Sequence, residues 1–246
     1  MQLEAFAVTS TGRRSDNQDA VCARPDLGLF VVADGMGGYE GGAVASQIAV
    51  ATIEDLVRRT AGGDNLTWPY SVDPRRDPVE NEVAVATRLA GERIAARRQG
   101  RLAQMGSTVV VLRIEGVHAI VGHVGDSRAY RLRAGRLEQL TVDHSLWSEL
   151  VGAGTDPGKW ADFPYKNVVT RALGTPTGEP DVRRVELGAG DVFLLCSDGL
   201  TECLTGERIA ALLAQPAAAA CRALVDEAFA AGSHDNISAV VVRVRP

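Results

Sequence analysis

Five aspartates carry most of the chemistry this sequence offers. Leu29-Phe30-Val31-Val32-Ala33-Asp34-Gly35 and Val192-Phe193-Leu194-Leu195-Cys196-Ser197-Asp198-Gly199 echo each other: both are apolar runs that end in Asp-Gly. An Asp-Gly pair alone marks a tight turn, in which Asp accepts backbone bonds and Gly takes positive φ. Two such pairs, each behind four or more apolar residues, would bring two carboxylates to the edge of a core. Asp19 in Asp16-Asn17-Gln18-Asp19, Asp126 after His123-Val124-Gly125, and Asp235 in His234-Asp235-Asn236-Ile237 stand in similar settings. Carboxylates gathered near a core repel each other and resist ionisation unless a cation neutralises them. Oxygen-only ligands suit a hard ion, Mg2+ or Mn2+, rather than zinc.

Gly35-Met36-Gly37-Gly38, followed by Gly41-Gly42, leaves a bare backbone before a helix. That is either a flexible helix entry or a place where a carbonyl can reach a metal. A nucleotide cradle fits poorly, because no G-x-G-x-x-G register opens the helix and no Walker lysine is present. Thiol chemistry fits poorly too. Cys22, Cys196, Cys203 and Cys221 contain no C-x-x-C pair. None begins a Cys-x5-Arg loop: the sixth positions after them are Gly28, Glu202, Ile209 and Glu227.

These side chains need elements to hold them. β-branched content and bounding turns predict strands at Leu3–Ser10, Leu29–Ala33, Thr108–Glu115, His118–Val124, Ala129–Arg133, Arg183–Leu187, Val192–Cys196 and Ile237–Val244. Arg133-Ala134-Gly135-Arg136 predicts a hairpin turn into Leu137–Thr141, and Glu115-Gly116 predicts another. Apolar spacing predicts helices over Gly42–Arg59, Val79–Arg98, Gly206–Leu213 and Ala217–Ala231. Short hairpins imply antiparallel pairing, so two antiparallel sheets packed together with helices outside are expected. Ala61–Pro78 reads as a loop between helices. Gly152–Tyr165 is a second long irregular stretch, and Trp160 and Phe163 suggest a flap that shapes substrate choice.

The 246 residues suit one domain spanning 1–246, with 46% apolar and 23% charged residues. A net charge of -5 and scattered arginine pairs argue against nucleic acid. No apolar stretch approaches bilayer-spanning length, and the opening segment has no signal-peptide core. A cytoplasmic protein is the expectation.

The sequence resembles the metal-dependent serine/threonine phosphatases of the protein phosphatase 2C type, in their bacterial branch. The resemblance rests on an ordered set that spans nearly the whole chain. Its members are Gly12–Asp19, Val32–Gly38, Gly106-Ser107-Thr108, Val124–Tyr130, Leu140–Ser145, Thr170–Gly174, Ser197–Leu200 and His234–Ile237. It implies a four-layer α-β-β-α sandwich with the metals at one edge. It also implies hydrolysis of phosphoserine and phosphothreonine in proteins by a water bridging two cations. By position, Asp34 would bridge the two tightly bound Mn2+ or Mg2+ ions, and Gly35 would offer its carbonyl to one. Asp198 and Asp235 would bind the other, and Asp126 would join Asp198 at a third, weaker ion. Arg14 and Asp19 are the implied catalytic side chains: Arg14 grips the substrate phosphate, and Asp19 supports the site directly or through water. The guanidinium fork suits phosphate oxygens. Met36 stands where other branches often carry histidine, and it cannot donate a proton, so a metal-bound water is the expected acid. His144 and His234 are expected to be structural hydrogen-bonders. Implied partners are phosphorylated proteins, Ser/Thr kinases among them, acted on by a monomer. Small phosphomonoesters stay open as substrates.

Overall fold

The structure, a computed structural model, describes residues 2–38, 40–62, 70–158 and 162–245. Strands β1 (Gln2–Ser10), β2 (Asp19–Arg24) and β3 (Leu29–Met36) lead into helices α1 (Gly41–Ala61) and α2 (Pro78–Ala95). Then come β4 (Gly106–Ser107), β5 (Val109–Glu115), β6 (His118–Val124), β7 (Arg128–Arg133) and β8 (Arg136–Gln139). The chain continues through α3 (Leu146–Gly152), β9 (Asp181–Glu186), β10 (Val192–Cys196) and the short α4 (Asp198–Thr201). It closes with α5 (Gly206–Leu213), α6 (Ala217–Ala230) and β11 (Ile237–Arg245).

One sheet runs β1-β11-β10-β7-β8 and the other β2-β3-β5-β6-β9, with β4 added beside the end of β3. The pairings are antiparallel. Side chains along a strand alternate between faces, and here both faces are covered. On β3, Leu29, Val31 and Ala33 face one core, shared with α1 and α2, while Phe30 and Val32 face the core between the sheets. On β10, Val192, Leu194 and Cys196 face the core under α5 and α6, while Phe193 and Leu195 face the core between the sheets. Three cores separate four layers, which makes the molecule the α-β-β-α sandwich expected from the sequence. This double burial explains why β3, β10 and β11 read as continuous apolar runs rather than alternating ones.

Local signals account for most boundaries. Ala134 and Gly135 have φ of 48° and 78°, the two left-handed positions of a type I′ turn, and Arg133 pairs with Arg136 across them. Asp77 caps α2: its side chain accepts from Val79 and Glu80 N–H, and Glu80 reaches back to the Asp77 N–H. The elements outside the sequence expectations include β2, α3 and α4. Asp19–Arg24 is a strand, although Asp19-Ala20-Val21-Cys22-Ala23-Arg24 has little β-branched content; pairing with β3 imposes it. Leu146–Gly152 is a helix capped by Ser145, whose Oγ accepts from Ser148 N–H. Asp198 begins a helical turn rather than simply ending a strand.

Candidate metal centre

Strand parity sends Asp34 to the same side as Phe30 and Val32, at the end of the layer between the sheets. Its direct cross-strand partner is Asp19 on β2. Thr108 pins the Asp34 backbone from both sides: Asp34 N–H donates to Thr108 Oγ1 at 3.2 Å, and Thr108 N–H donates to Asp34 O at 2.8 Å. Asp19 is buried and tied to the opposite sheet. Its Oδ2 accepts from Ser197 Oγ at 2.9 Å and from Ser238 Oγ at 2.6 Å. Ser197 also stands at the N-cap position of the turn that starts with Asp198, with its hydroxyl spent on Asp19 rather than on the turn. Asp126 lies in the turn between β6 and β7, and Asp235 in the turn before β11.

Arg14 closes the mouth of this group. Its Nε donates to Asp235 Oδ1 at 3.0 Å and its Nη2 to Asp235 Oδ2 at 2.7 Å. The Arg14 side chain is still 58% exposed. Asn236 fastens the loop that carries Arg14. Its Nδ2 donates to Thr11 O and Asp16 O, both at 2.9 Å, and its Oδ1 accepts from Gln18 N–H at 2.8 Å. A cleft of about 660 Å3 joins Arg14, Asp34, Gly35, Met36, Asp126, Asp198 and Asp235. A second cavity of about 430 Å3 adjoins it through Asp126, Asn167 and Asp198, and is walled by Trp147, Lys166 and Glu202.

The structure therefore brings Asp34, Gly35, Asp126, Asp198, Asp235 and Arg14 to one cleft, with Asp19 beneath it. Their electrostatics are those of crowded acids. Burial, then the charges of Asp19, Asp198, Asp126 and Asp235, holds the Asp34 carboxyl well above the usual carboxylate range. Burial, then Asp126 and Glu202, does the same to Asp198. Burial pushes Asp19 up to about 6 against the opposing hydroxyl donors. Burial and Asp143 push Asp126 up to about 6. Bonding to Asp235, and the charges of Asp198 and Asp34, keep Arg14 protonated. Asp19 Oδ1 and Asp198 Oδ1 are buried without a hydrogen-bond partner. Buried carboxylate oxygens with no donor, among acids that raise each other's pKa, fit divalent cations. The backbone leaves room for nothing else at Gly35, where a Cβ would lie 1.9 Å from Gly42 O and 2.7 Å from Gln18 O.

Several contributors escaped the sequence reading. Ser197 and Ser238 are small polar residues in apolar runs, and that context was their only signal. Glu202 lies one helical turn after Asp198 and raises both Asp198 and Asp126. Its i+4 spacing from Asp198 was the available clue. Phe163 makes edge contacts with Trp147, with centroids 5.2 Å apart, and with Tyr165 at 6.0 Å. Of the expected flap aromatics, Phe163 packs locally, and Trp160 lies outside the described residues. Burial pushes the thiols of Cys22, Cys196 and Cys221 up to about 12, so none offers a ready thiolate nucleophile.

His123, His144 and Asp181 also place potential ligand atoms within 4.8 Å of one another. Hydrogen bonds already occupy them. The Gly125 N–H can only donate, so His144 Nδ1 must accept it, at 3.1 Å. The ring proton then sits on Nε2 and points to Asp181 Oδ2 at 3.1 Å. His123 Nε2 faces Val142 O at 2.8 Å, and the Arg171 guanidinium lies 3.2 Å from Asp181 Oδ1. This is a hydrogen-bond network with its cation supplied by arginine.

Residues 10–234 match the family model described as protein phosphatase 2C. The chain belongs to that family. It is 34% identical over 235 residues to the serine/threonine protein phosphatase PstP of Mycobacterium tuberculosis, covering 94% of this chain and 43% of that protein. It thus spans less than half the length of PstP. It is 35% identical over 253 residues to the protein phosphatase PhpP of Streptococcus pneumoniae, covering 98% of this chain and 97% of PhpP. The crystal structure of the PstP catalytic domain in complex with two manganese ions superposes with a TM-score of 0.83 at 32% identity, over 99% of both chains. Among the described residues, no helix is long and apolar enough to cross a membrane.

Proposed function

We propose that this protein is a metal-dependent phosphatase that hydrolyses phosphoserine and phosphothreonine in other proteins. The observation that carries this reading is the cleft itself: crowded carboxylates with unpartnered oxygens on its floor, and a solvent-exposed arginine at its mouth. The manganese ions of the PstP domain and the names of its relatives support it. Asp34, the Gly35 carbonyl, Asp198 and Asp235 would hold two Mn2+ or Mg2+ ions, and Asp126 with Asp198 a third, weaker one. When bound, divalent cations lower the pKa of water and offset charge on a phosphoryl group.

The chain's own residues supply the rest. Asp235 grips Arg14 through two of the five guanidinium N–H donors, leaving three to meet phosphate oxygens at the cleft mouth. Ser197 and Ser238 fix the Asp19 carboxylate through Oδ2 and leave its buried Oδ1 without a donor. Thr108 locks the Asp34 backbone, which keeps its side chain at one depth. Met36 lines the cleft without a proton to give; a water held at the bound cations would be the acid for the leaving serine or threonine oxygen.

The domain is proposed to span residues 1–246 and to act as a cytoplasmic monomer, with Ser/Thr kinases and their substrates as partners. The test is phosphate release from a phosphothreonine peptide with Mn2+, beside a nucleotide and an oligonucleotide. Release from the peptide, abolished by chelator, is expected. Undiminished release in excess EDTA overturns the metal requirement, and turnover of the nucleotide alone overturns the protein substrate. A panel of phosphorylated kinases then identifies the partner.

A further inference from the structure

The turn that carries Asp126 is held by a side chain that the proposed hydrolysis has not used. His144 grips Gly125 twice: the Gly125 N–H donates to its Nδ1 at 3.1 Å, and its own N–H donates to Gly125 O at 3.0 Å. Gly125 has φ of +100°, and a Cβ there would lie 2.6 Å from the Thr108 side chain, so the turn is packed on one side and clamped on the other. The clamp is itself immobilised. The His144 ring is buried and stacks on His123 with centroids 4.5 Å apart and planes 20° off parallel. Its Nε2 meets Asp181 on β9, and Asp181 in turn meets Arg171. The His144 carbonyl accepts from Thr170 N–H at 2.8 Å, which ties the same residue to the Val168–Val169 wall of the cleft.

We infer that His144 is a positioning residue for Asp126, acting as a neutral imidazole whose bare Nδ1 sets the turn, and hence where the Asp126 carboxylate stands against Asp198. Only one tautomer can do this. A proton on Nδ1 would face the Gly125 N–H donor to donor and break the clamp. Asp181 is the group that favours the working tautomer, because it draws the proton to Nε2. Outer partners of this kind typically alter metal affinity by about 10–100-fold. The inference rests on the reading that Asp126 shares a weaker cation with Asp198.

The test is a Mn2+ titration by calorimetry on the full chain, read for the tight and the weak sites, with phosphopeptide kinetics beside it. His144→Phe keeps a ring for the stack but offers Gly125 no acceptor. His144→Asn offers an acceptor near the Nδ1 position but loses the ring. Weak-site binding should fall by roughly 10-fold or more in H144F and recover in H144N, while the tight sites hold in both. A merely structural role predicts the opposite order, because H144N loses more packing. Thermal midpoints measured in parallel expose that order. Asp181→Ala, at a 56% exposed side chain, should weaken the same site by a few-fold without touching the packed ring. It carries the test with H144N should H144F not fold. Asp126→Asn separates the two layers of argument. Should D126N keep the weak site, the cation reading of Asp126 is wrong. Should D126N lose it while D181A and H144F bind Mn2+ as the parent does, or D181A does so where H144F does not fold, the role of His144 is overturned.

Discussion

Asp34-Gly35 and Asp198-Gly199 begin as near-identical sequences and end as different structures. Asp34-Gly35 stays in the sheet: β3 runs on to Met36, with Asp19 opposite Asp34 and Ser107 opposite Gly35. Asp198-Gly199 leaves the sheet and starts α4. The glycines explain the common letter. A Cβ on Gly35 would meet Gly42 O at 1.9 Å, and one on Gly199 would meet Asn236 O at 2.1 Å. Each glycine lets a second backbone segment come close enough to trap the neighbouring aspartate. The same dipeptide therefore meets one demand, close backbone approach, in two secondary structures. The difference lies in the company: Asp34 is crowded first by Asp19, and Asp198 first by Asp126 and Glu202.

The largest effect should come from the two carboxylates themselves. Asp34→Asn and Asp198→Asn should each lower phosphopeptide turnover on the order of 10^3-fold or more, the several kcal/mol that metal ions typically supply. Calorimetry should tell them apart. Asp34→Asn should remove both tight Mn2+ sites, whereas Asp198→Asn should remove one tight site and the weak one. Identical binding defects would break the comparison. Next comes Arg14, which bonds to Asp235 and feels Asp198 ahead of Asp34. Arg14→Ala should lower kcat/KM by roughly 2–3 kcal/mol, or on the order of 10^2-fold, while tight metal binding changes far less. Unchanged kcat/KM would reduce Arg14 to a surface partner of Asp235.

The glycines give a smaller and more structural contrast. Gly35→Ala faces three backbone atoms within 2.7 Å, and Gly199→Ala faces one backbone atom at 2.1 Å with the next at 3.2 Å. Overpacking of this kind typically costs about 1–3 kcal/mol. Denaturant midpoints should therefore drop for both variants, and further for Gly35→Ala. The reverse order would mean that α4 yields less readily than the sheet.

How far the sequence could be read follows from the same contrast. The strands buried on both faces were legible because apolar runs bounded by turns have few other uses. So were the aspartates that end them, whereas Arg14 stood out only through the resemblance of its motif. The hydrogen-bonded shell was less so. Ser197 and Ser238 act on Asp19 across the sandwich, 178 and 219 positions away, and no local pattern encodes that. β2 was missed because its pairing with β3, rather than its own propensity, makes it a strand. α3 was missed because seven residues are too few for a helical period to stand out, although Ser145 stood at its cap.

The smallest effect concerns stability against pH, and it tests whether the two halves of the acid cluster act alike. Asp19, beside Asp34, and Asp126, beside Asp198, are each pushed up to about 6 in the fold. An unfolded aspartate titrates near 3.9. Each carboxyl thus holds its proton more tightly in the folded chain. The stability it contributes is full below about pH 4 and is lost as pH rises through about 6. With cations chelated, the thermal midpoint should fall between pH 4 and 7, and Mn2+ at pH 7 should restore it, because cations take over the neutralising role of the protons. Asp19→Asn and Asp126→Asn should each flatten the slope in chelator by a few degrees, since roughly 1 kcal/mol corresponds to about 2–4 °C in a chain of this size. Equal flattening would mean that the sheet-held and helix-held halves are equally strained. A larger effect for Asp19→Asn is expected, because Asp19 is the more deeply buried of the two and heads the charges that raise Asp34. A midpoint that rises with pH in chelator would show that the acids are already neutralised by groups of the chain, and the case for cations in this cleft would fall with it.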